Sequence, residues 1–540
     1  MDKSIYTFLQ KPGIKKKQRK KNLKSLSQKE KKSSQIKSYF TIKLLIIFFF
    51  IISSFFLIKI KKNVNISVEN SKNFNYEKEY SSYEREHKNS DPNCEALDPI
   101  RIFKLRIDKG PIVICSGEKT KHICYQNPND HFNDIFDHRD GVICTMENIV
   151  LDPSHSRQSG LSYKDGPVDG SHLGLPILDK GFINAECSLN KTSSFNYDNL
   201  YSTYFNSWVY DYDIKNEREE LEELAPGKVI FFLSRNQDSP NIFYGHSDII
   251  NSLSMIYLFN LDPKDIQVVF LESIEIPYSK DGPKDDETPN DPIHDIFQRM
   301  ISKGGEPIYI KNLKKKYKIS KAIHVPINWD SPLSIEHDFP KCDFSVKTYK
   351  LYNDFMDKYM GLKPFEDKWI NDNEFLYYPE SVLKSHESGN KFDKIVTIQW
   401  RRVWPKKRRG QGRIMNNGPQ MADKLASLLP KNILVRLINN AKLKMEDQIS
   451  LVRNTDYFVG MHGCGLSLMM FMPHNSIYHE VQQRQIRSQL CVMSALSGHR
   501  TFVDVLKNNI IAVEGNEVIT FDEDEFARKV LEHMKESNFI

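Results

Sequence analysis

No cysteine precedes Cys94, and no two cysteines are spaced Cys-x-x-Cys, in a chain of 540 residues. A zinc finger of the usual spacing is therefore not expected, and zinc remains only the alternative to disulfides for the cysteines present. Gly-x-Ser-x-Gly and Gly-x-x-x-x-Gly-Lys-Ser/Thr are both missing, which removes the serine-hydrolase elbow and the P-loop. Acids are nearly missing from residues 1–37, where only Asp2 and Glu30 interrupt a dense series of Lys and Arg. The formal net charge of +6 belongs to that tail. The remainder is slightly acidic, so the basic balance implies no nucleic-acid partner. Internal repeats and heptad seams are absent, and only one long apolar run occurs.

That run is YFTIKLLIIFFFIISSFFLI, Tyr39 to Ile58, with Lys43 as its single charge. About 20 apolar residues span a bilayer core. The uninterrupted part, Leu44 to Ile58, is shorter, so a cleaved signal peptide is the competing reading. The basic region before it is long, however, and SSFFLIKIKK offers no small-residue cleavage site. A signal anchor over residues 38–60 is predicted. Lys59, Lys61 and Lys62 follow the span, but the longer and denser basic side is N-terminal, which keeps residues 1–37 cytosolic and everything beyond residue 60 luminal or extracellular. All eight cysteines (Cys94, Cys115, Cys124, Cys144, Cys187, Cys342, Cys464 and Cys491) lie on that oxidising side. Disulfides are expected there, with the first four as their framework. The sequons at Asn65 and Asn190 suit glycosylation in a secretory lumen.

Residues 61–90 are polar and nearly free of aliphatics, as a stem is. Beyond them KVIFFLS (Lys228 to Ser234) and IQVVFLES (Ile266 to Ser273) are short continuous apolar runs, predicted as strands buried on both faces. GHSDIINSLSMIYLFN between them has helical spacing, and HDIFQRMIS, PIYI and KAIHVPIN continue the alternation. A second series follows: IVTIQW, NILVRLI, YFVG, SIYHEV and HRTFVDVL as strands, separated by MADKLASLL, MEDQISLVRN, GLSLMMFM and QIRSQLCVMSALSG as helices. FDEDEFARKVLEHMKES closes the chain as a helix with acids in its first turn. The expectation is α/β: two Rossmann-like domains, 91–385 and 386–540, facing a cleft. Ligands in such sheets bind beyond the carboxyl ends of strands.

Four motifs fall near that cleft. In DYFVGMHGCGLSLMMFMPHNSIYHEV a strand meets the glycine turn GMHGCG before a helix. Small residues there let a ligand reach the backbone, and the helix start favours an anion such as a diphosphate. His462 adds a donor and Glu480 ends the next strand, where a ribose-binding carboxylate often stands. A plain βαβ turn with packing glycines is the other reading. Arg401 and Arg402, after IVTIQW, are placed to neutralise a leaving diphosphate without a metal, whereas Lys406 to Arg409 read as a solvated loop. In SPNIFYGHSDIINSL, His246 and Asp248 stand where a loop enters a helix. Asp248 is a candidate general base toward an acceptor hydroxyl, and helix capping by Ser247 or Asp248 is the alternative. Asp211-Tyr212-Asp213 is an isolated metal-type triplet with nothing near it to support an ion, so no metal is predicted.

DQISLVRNTDYFVGMHGCGLSLMMFMPHNSIYHEV resembles the helix, strand, Gly-x-His-Gly-Ala-Gly-Leu and Phe-x-Pro segment of glycosyltransferase family 61. VICTMENIVLDP (Val142 to Pro153) resembles that family's Cys-x-x-x-Asn segment, and NIFYGHSD its Asn-x-[Tyr/Phe]-His-x-x-x-Asp box. The animal enzymes that add N-acetylglucosamine to EGF domains or O-mannose are the most similar in character. Over about residues 110–500 the resemblance implies a GT-B fold and a type II membrane enzyme of the Golgi or endoplasmic reticulum. It implies an inverting transfer from a UDP-sugar, with GlcNAc or xylose as the sugar, a luminal protein or glycan as acceptor, and no obligatory cofactor or metal. His462, Gly463, Gly465 and Glu480 would hold the nucleotide, with Arg401 and Asn416. Asp248 would match the box aspartate. The chain departs from the pattern at Cys464, where Ala is usual, and at Tyr244, which replaces the box His, with His246 two positions on. The insertion VWPKKRRGQG leaves Gly412 and Arg413 both facing the second family arginine. These departures motivate a second expectation, a catalytically silent membrane-tethered binder of sugar nucleotides or glycans. A luminal transferase of another group, such as sulfate, is a third.

Overall fold

The computed structural model describes residues 94, 97–125, 142–157, 177–178, 181–189, 220–234, 242–271, 301, 305–326, 342, 345–360, 362–372, 375–402, 413–440, 443–486, 488–513 and 516–540. All of them lie in the unit Asn89–Ile540. The expected anchor, the stem, both sequons and the Asp211–Asp213 triplet lie outside the described residues. Among the described residues no helix is long and apolar enough to cross a membrane.

The architecture is mixed α/β. A nine-stranded sheet contains β1 (Ile112–Ser116), β2 (Lys121–Tyr125), β3 (Ile143–Leu151), β4 (Val229–Leu233), β5 (Ile266–Phe270), β6 (Ile308–Tyr309) and β7 (Tyr317–His324). Its order is β6-β5-β4-β7-β3-β2-β1, with short strands at Ser188–Leu189 and Ile183–Asn184 beside β1 and β3. The runs read as doubly buried strands pair in parallel, β6 to β5, β5 to β4 and β4 to β7. From β7 onward pairing is antiparallel. For β1 and β2 the cause is connection length: residues 117–120 join them, and so short a link returns only as a hairpin.

Three disulfides are formed, Cys94–Cys342, Cys115–Cys187 and Cys124–Cys144, while Cys464 and Cys491 are free thiols. Of the four cysteines expected to form a framework among themselves, only Cys124 and Cys144 do so, being direct cross-strand partners in β2 and β3. Cys94 is drawn elsewhere by helix α1 (Pro99–Asp108), whose N-cap Asp98 also accepts from the backbone of Thr348 at 2.9 Å.

Helix α2 (Ile242–Leu258) is buried on nearly every face, as a helix lodged between two layers must be. Its hydroxyls at Ser247, Ser252 and Ser254 donate to carbonyls four residues back, so none is left unpaired inside the core. His246 and Asp248 therefore stand inside this helix, and Ser247 makes an internal bond where a cap was the alternative.

The second sheet comprises β8 (Lys394–Gln399), β9 (Ile433–Ile438), β10 (Tyr457–Met461), β11 (Ile477–Gln482) and β12 (Arg500–Val505), in the order β9-β8-β10-β11-β12 and parallel throughout. Leu376–Tyr377 adds an antiparallel edge to β9. Arg436 in the middle of β9 is fully buried and pairs with Asp367 at 2.9 Å. It also donates to Thr397 at 3.0 Å and to the carbonyls of Leu451 and Asn454 at 3.1 and 2.8 Å, the satisfaction a buried guanidinium requires. Arg413–Met415, Asn508–Val513 and Asn516–Phe521 form a separate three-stranded sheet.

GLSLMMFM, expected as an α-helix, is a 3-10 helix, Cys464–Phe471. At about 2.0 Å per residue its eight residues return roughly 16 Å, whereas an α-helix would return about 12 Å. Five-residue β10 is roughly 17 Å long, so the stretched form is the one that brings the chain back to the start of β11.

Burial pushes the imidazoles of His122 and His499 down to about 4 and those of His246 and His324 down to about 3. In the unfolded chain they titrate near 6.5. Below that pH only the unfolded chain takes up these protons, so stability is complete above about 6.5 and is lost as pH falls toward the folded values. Each histidine contributes a loss of about 1.4 kcal/mol per pH unit. The urea midpoint at pH 5 is expected well below that at pH 7, and equal midpoints would contradict the burial of these rings.

Candidate functional site

The parallel register aligns Gln399, Gly460 and Glu480 across β8, β10 and β11, so the three strands end along one carboxyl edge. The residues that follow, Arg401 after β8 and His462 after β10, meet there: Arg401 Nη1 donates to the His462 carbonyl at 2.6 Å. The backbone of Arg401 is itself held, its carbonyl accepting from Met415 N–H at 2.8 Å.

The glycines of GMHGCG acquire a definite reason. A Cβ on Gly463 would lie 1.7 Å from Arg401 Nη1, one on Gly465 1.9 Å from Gln399 Nε2, and one on Gly460 2.8 Å from Gln399 Cβ. These clashes are far inside van der Waals contact, so the small residues make room for the side chains ending β8. The backbone of Gly463 is extended and asks nothing special of φ. In the sequence the same glycines read as room for a ligand. The structure fills that space with Arg401 and Gln399, and so brings a guanidinium to the turn.

His462 lies 2.8 Å from Glu480 through Nδ1. Glu480 is fully buried and also accepts from Tyr478 at 2.9 Å, Gln482 at 2.6 Å and Ser488 at 2.6 Å. Desolvation drives its carboxyl upward, but the hydrogen bond and charge of His462, with Ser488 and Gln482, outweigh it and hold the group below its ordinary value. Both oxygens are thus occupied. Glu480 fixes the ring of His462, whose side chain is 21% exposed, and the imidazole presents its Nε2 edge beyond the carboxylate.

Arg413 belongs to the same electrostatic neighbourhood. Burial lowers its pKa, as does Arg484, against the attraction of Glu517, Cys464 and Glu480. It begins the three-residue strand Arg413–Met415. Arg402, by contrast, stacks over Trp400 at 4.5 Å. Asn416 is exposed, with its amide 3.3 Å from Thr520, so its recorded bond runs to the small sheet.

His246 and Asp248 are each 1% exposed. His246 Nδ1 lies 2.8 Å from the Tyr352 hydroxyl, and the ring packs edge-on against Phe471 of the 3-10 helix with centroids 5.5 Å apart. Its Nε2 is buried with no hydrogen-bond partner. The two residues thus lie beneath the helix that leaves the glycine turn and do not line an open surface.

An arginine, a carboxylate-oriented histidine and an uncapped helix start at the carboxyl edge of a parallel sheet define an α/β protein equipped for an anionic ligand. Residues 292–478 match the family model described as Glycosyltransferase 61, a match that supports membership of glycosyltransferase family 61. Arg401, Asn416, His462, Gly463 and Gly465 fall within the matched stretch, Glu480 falls two residues beyond it, and His246 and Asp248 precede it. No curated protein matches the chain. The family implies a nucleotide-sugar donor and a glycan or protein acceptor.

Proposed function

We propose that the chain is a single-pass type II glycosyltransferase of the Golgi or endoplasmic reticulum membrane, anchored by residues 38–60. It transfers GlcNAc or xylose from a UDP-sugar to a hydroxyl of a luminal protein or glycan, with inversion and no obligatory metal. Its two sheets are read as the halves of a GT-B fold. The observation that carries this reading is the 2.6 Å bond from Arg401 to the His462 carbonyl, inside the matched stretch, which sets a fixed positive charge beside the helix start. There the guanidinium stabilises the diphosphate as it leaves, and His462, held through Nδ1 by Glu480, turns its Nε2 edge toward it. Asp248 takes the proton of the acceptor hydroxyl, which attacks the anomeric carbon from the side opposite the leaving group. Asn65 and Asn190 carry glycans in the same lumen.

One observation favours the silent binder as a second reading: the 1% exposure of both His246 and Asp248, which keeps the acceptor-side pair from any acceptor in this conformation. A thermal-shift panel of sugar nucleotides on the purified full chain, run beside an assay of UDP release with glycan and peptide acceptors, separates the two. Ligand binding raises the midpoint by mass action. A rise with UDP-GlcNAc or UDP-xylose together with turnover supports transfer. A rise without turnover on any acceptor supports the binder, and no rise with any donor contradicts both.

A further inference from the structure

His479, Asp504 and His533 converge on the opposite face of the second sheet. Neighbours along a strand point to opposite faces, so His479 turns away from the side on which Glu480 holds His462. It faces Asp504 of β12 and His533 of the C-terminal helix, Glu523–Glu536. His479 Nε2 is 3.1 Å and His533 Nε2 2.6 Å from the same atom, Asp504 Oδ2. The three ligand-type atoms all lie within 4.8 Å of one another.

We propose that these three residues form a zinc site that clasps the C-terminal helix to the edge of the sheet. Two imidazole nitrogens and a carboxylate oxygen are a donor set suited to zinc. A tetrahedron with arms of about 2.0 Å has edges of about 3.3 Å, so a small outward shift of His533 admits the ion. His479 is fully buried, and its Nε2 has no hydrogen-bond partner even though the carboxylate is close: the nitrogen is aimed into the cluster but off the line of a hydrogen bond. A metal-bound histidine is oriented through its second nitrogen. For His479 this holds, its Nδ1 lying 3.0 Å from the Tyr457 hydroxyl, whereas His533 Nδ1 has no hydrogen-bond partner, the Glu536 carboxylate standing 3.9 Å away. Phe502 stacks on the His533 ring with centroids 4.0 Å apart and fixes its plane. Lys529 lies 3.2 Å from Asp504 Oδ1, which leaves Oδ2 for the ion, and the fourth position opens toward solvent through Asp504 and His533, 12% and 13% exposed. The ion is structural and distinct from the edge occupied by Arg401 and His462, so it takes no part in the proposed transfer.

The test is metal content of the full chain, purified without a histidine tag and dialysed against metal-free buffer. One zinc per chain is expected, with a drop in the thermal midpoint on adding a chelator and recovery with zinc chloride alone. Cobalt(II) in its place should give the visible bands of a tetrahedral N/O site. His533→Gln and Asp504→Asn, both at partly exposed positions, each remove a ligand and should lose stoichiometric zinc on dialysis, while His474→Ala retains it. A wild-type chain that holds no zinc and whose midpoint ignores both chelator and zinc overturns the site, leaving a hydrogen-bonded clasp. So does zinc retained equally by all three variants. The wild-type measurement decides even if a variant fails to fold.

Discussion

Arg401→Ala is expected to lower the turnover number for sugar transfer by about a hundredfold to a thousandfold, the effect of removing one preorganised donor from a developing negative charge. The guanidinium donates to the His462 carbonyl at 2.6 Å and is only half-buried. Its loss therefore leaves the sheet intact, and the thermal midpoint should stay near that of the wild type. Arg401→Lys keeps the charge but not the planar fork, so it should recover only part of the rate. Unchanged turnover in a folded Arg401→Ala chain would remove Arg401 from the mechanism.

Glu480→Ala is expected to act on stability before it acts on chemistry. Tyr478, Gln482, Ser488 and His462 all converge on the two carboxylate oxygens, and Glu480 is fully buried. Truncation leaves those groups without an acceptor in a place water does not reach. Breaking a buried pair in this way costs about 3–5 kcal/mol. Glu480→Gln keeps an oxygen acceptor and the volume, and should lose about 1–3 kcal/mol, with donor binding weakened because the ring of His462 is no longer held by charge. Urea denaturation of both variants measures the difference. Equal stability of Glu480→Ala and the wild type would mean that the hydrogen-bond cluster does not hold the turn.

Much of the second sheet was legible because each strand is a short apolar run with a helix signal on either side. IVTIQW, NILVRLI, YFVG and SIYHEV all became strands of one parallel sheet. Strand polarity put His462 and Glu480 on one sheet edge, but the ribose role read for Glu480 did not foresee a fully buried carboxylate bonded to His462. What could not be read is what depends on three-dimensional register. Cys94 finds Cys342 across 248 residues, and nothing local to either encodes that pairing. In the antiparallel half of the first sheet β3 pairs with β7 across more than 160 residues of chain, and the small sheet begins from a three-residue strand, Arg413–Met415, too short to show a period. The glycines of GMHGCG were visible as small residues, but their reason lies in Arg401 and Gln399 arriving from another strand. His246 and Asp248 looked like residues of a loop entering a helix. The apolar spacing extends to Ile242, however, and it buries both in the second turn.

The central claim is that the edge joining Arg401 to His462 holds the diphosphate of a nucleotide sugar. Calorimetric titration of UDP into the full chain, beside Arg401→Ala, tests it most directly. The account predicts saturable binding of UDP to the wild type and an affinity weaker by about tenfold or more in the variant, the loss of one charge-assisted hydrogen bond. Equal affinity in the two, or no binding of UDP to a folded wild-type chain, would contradict it.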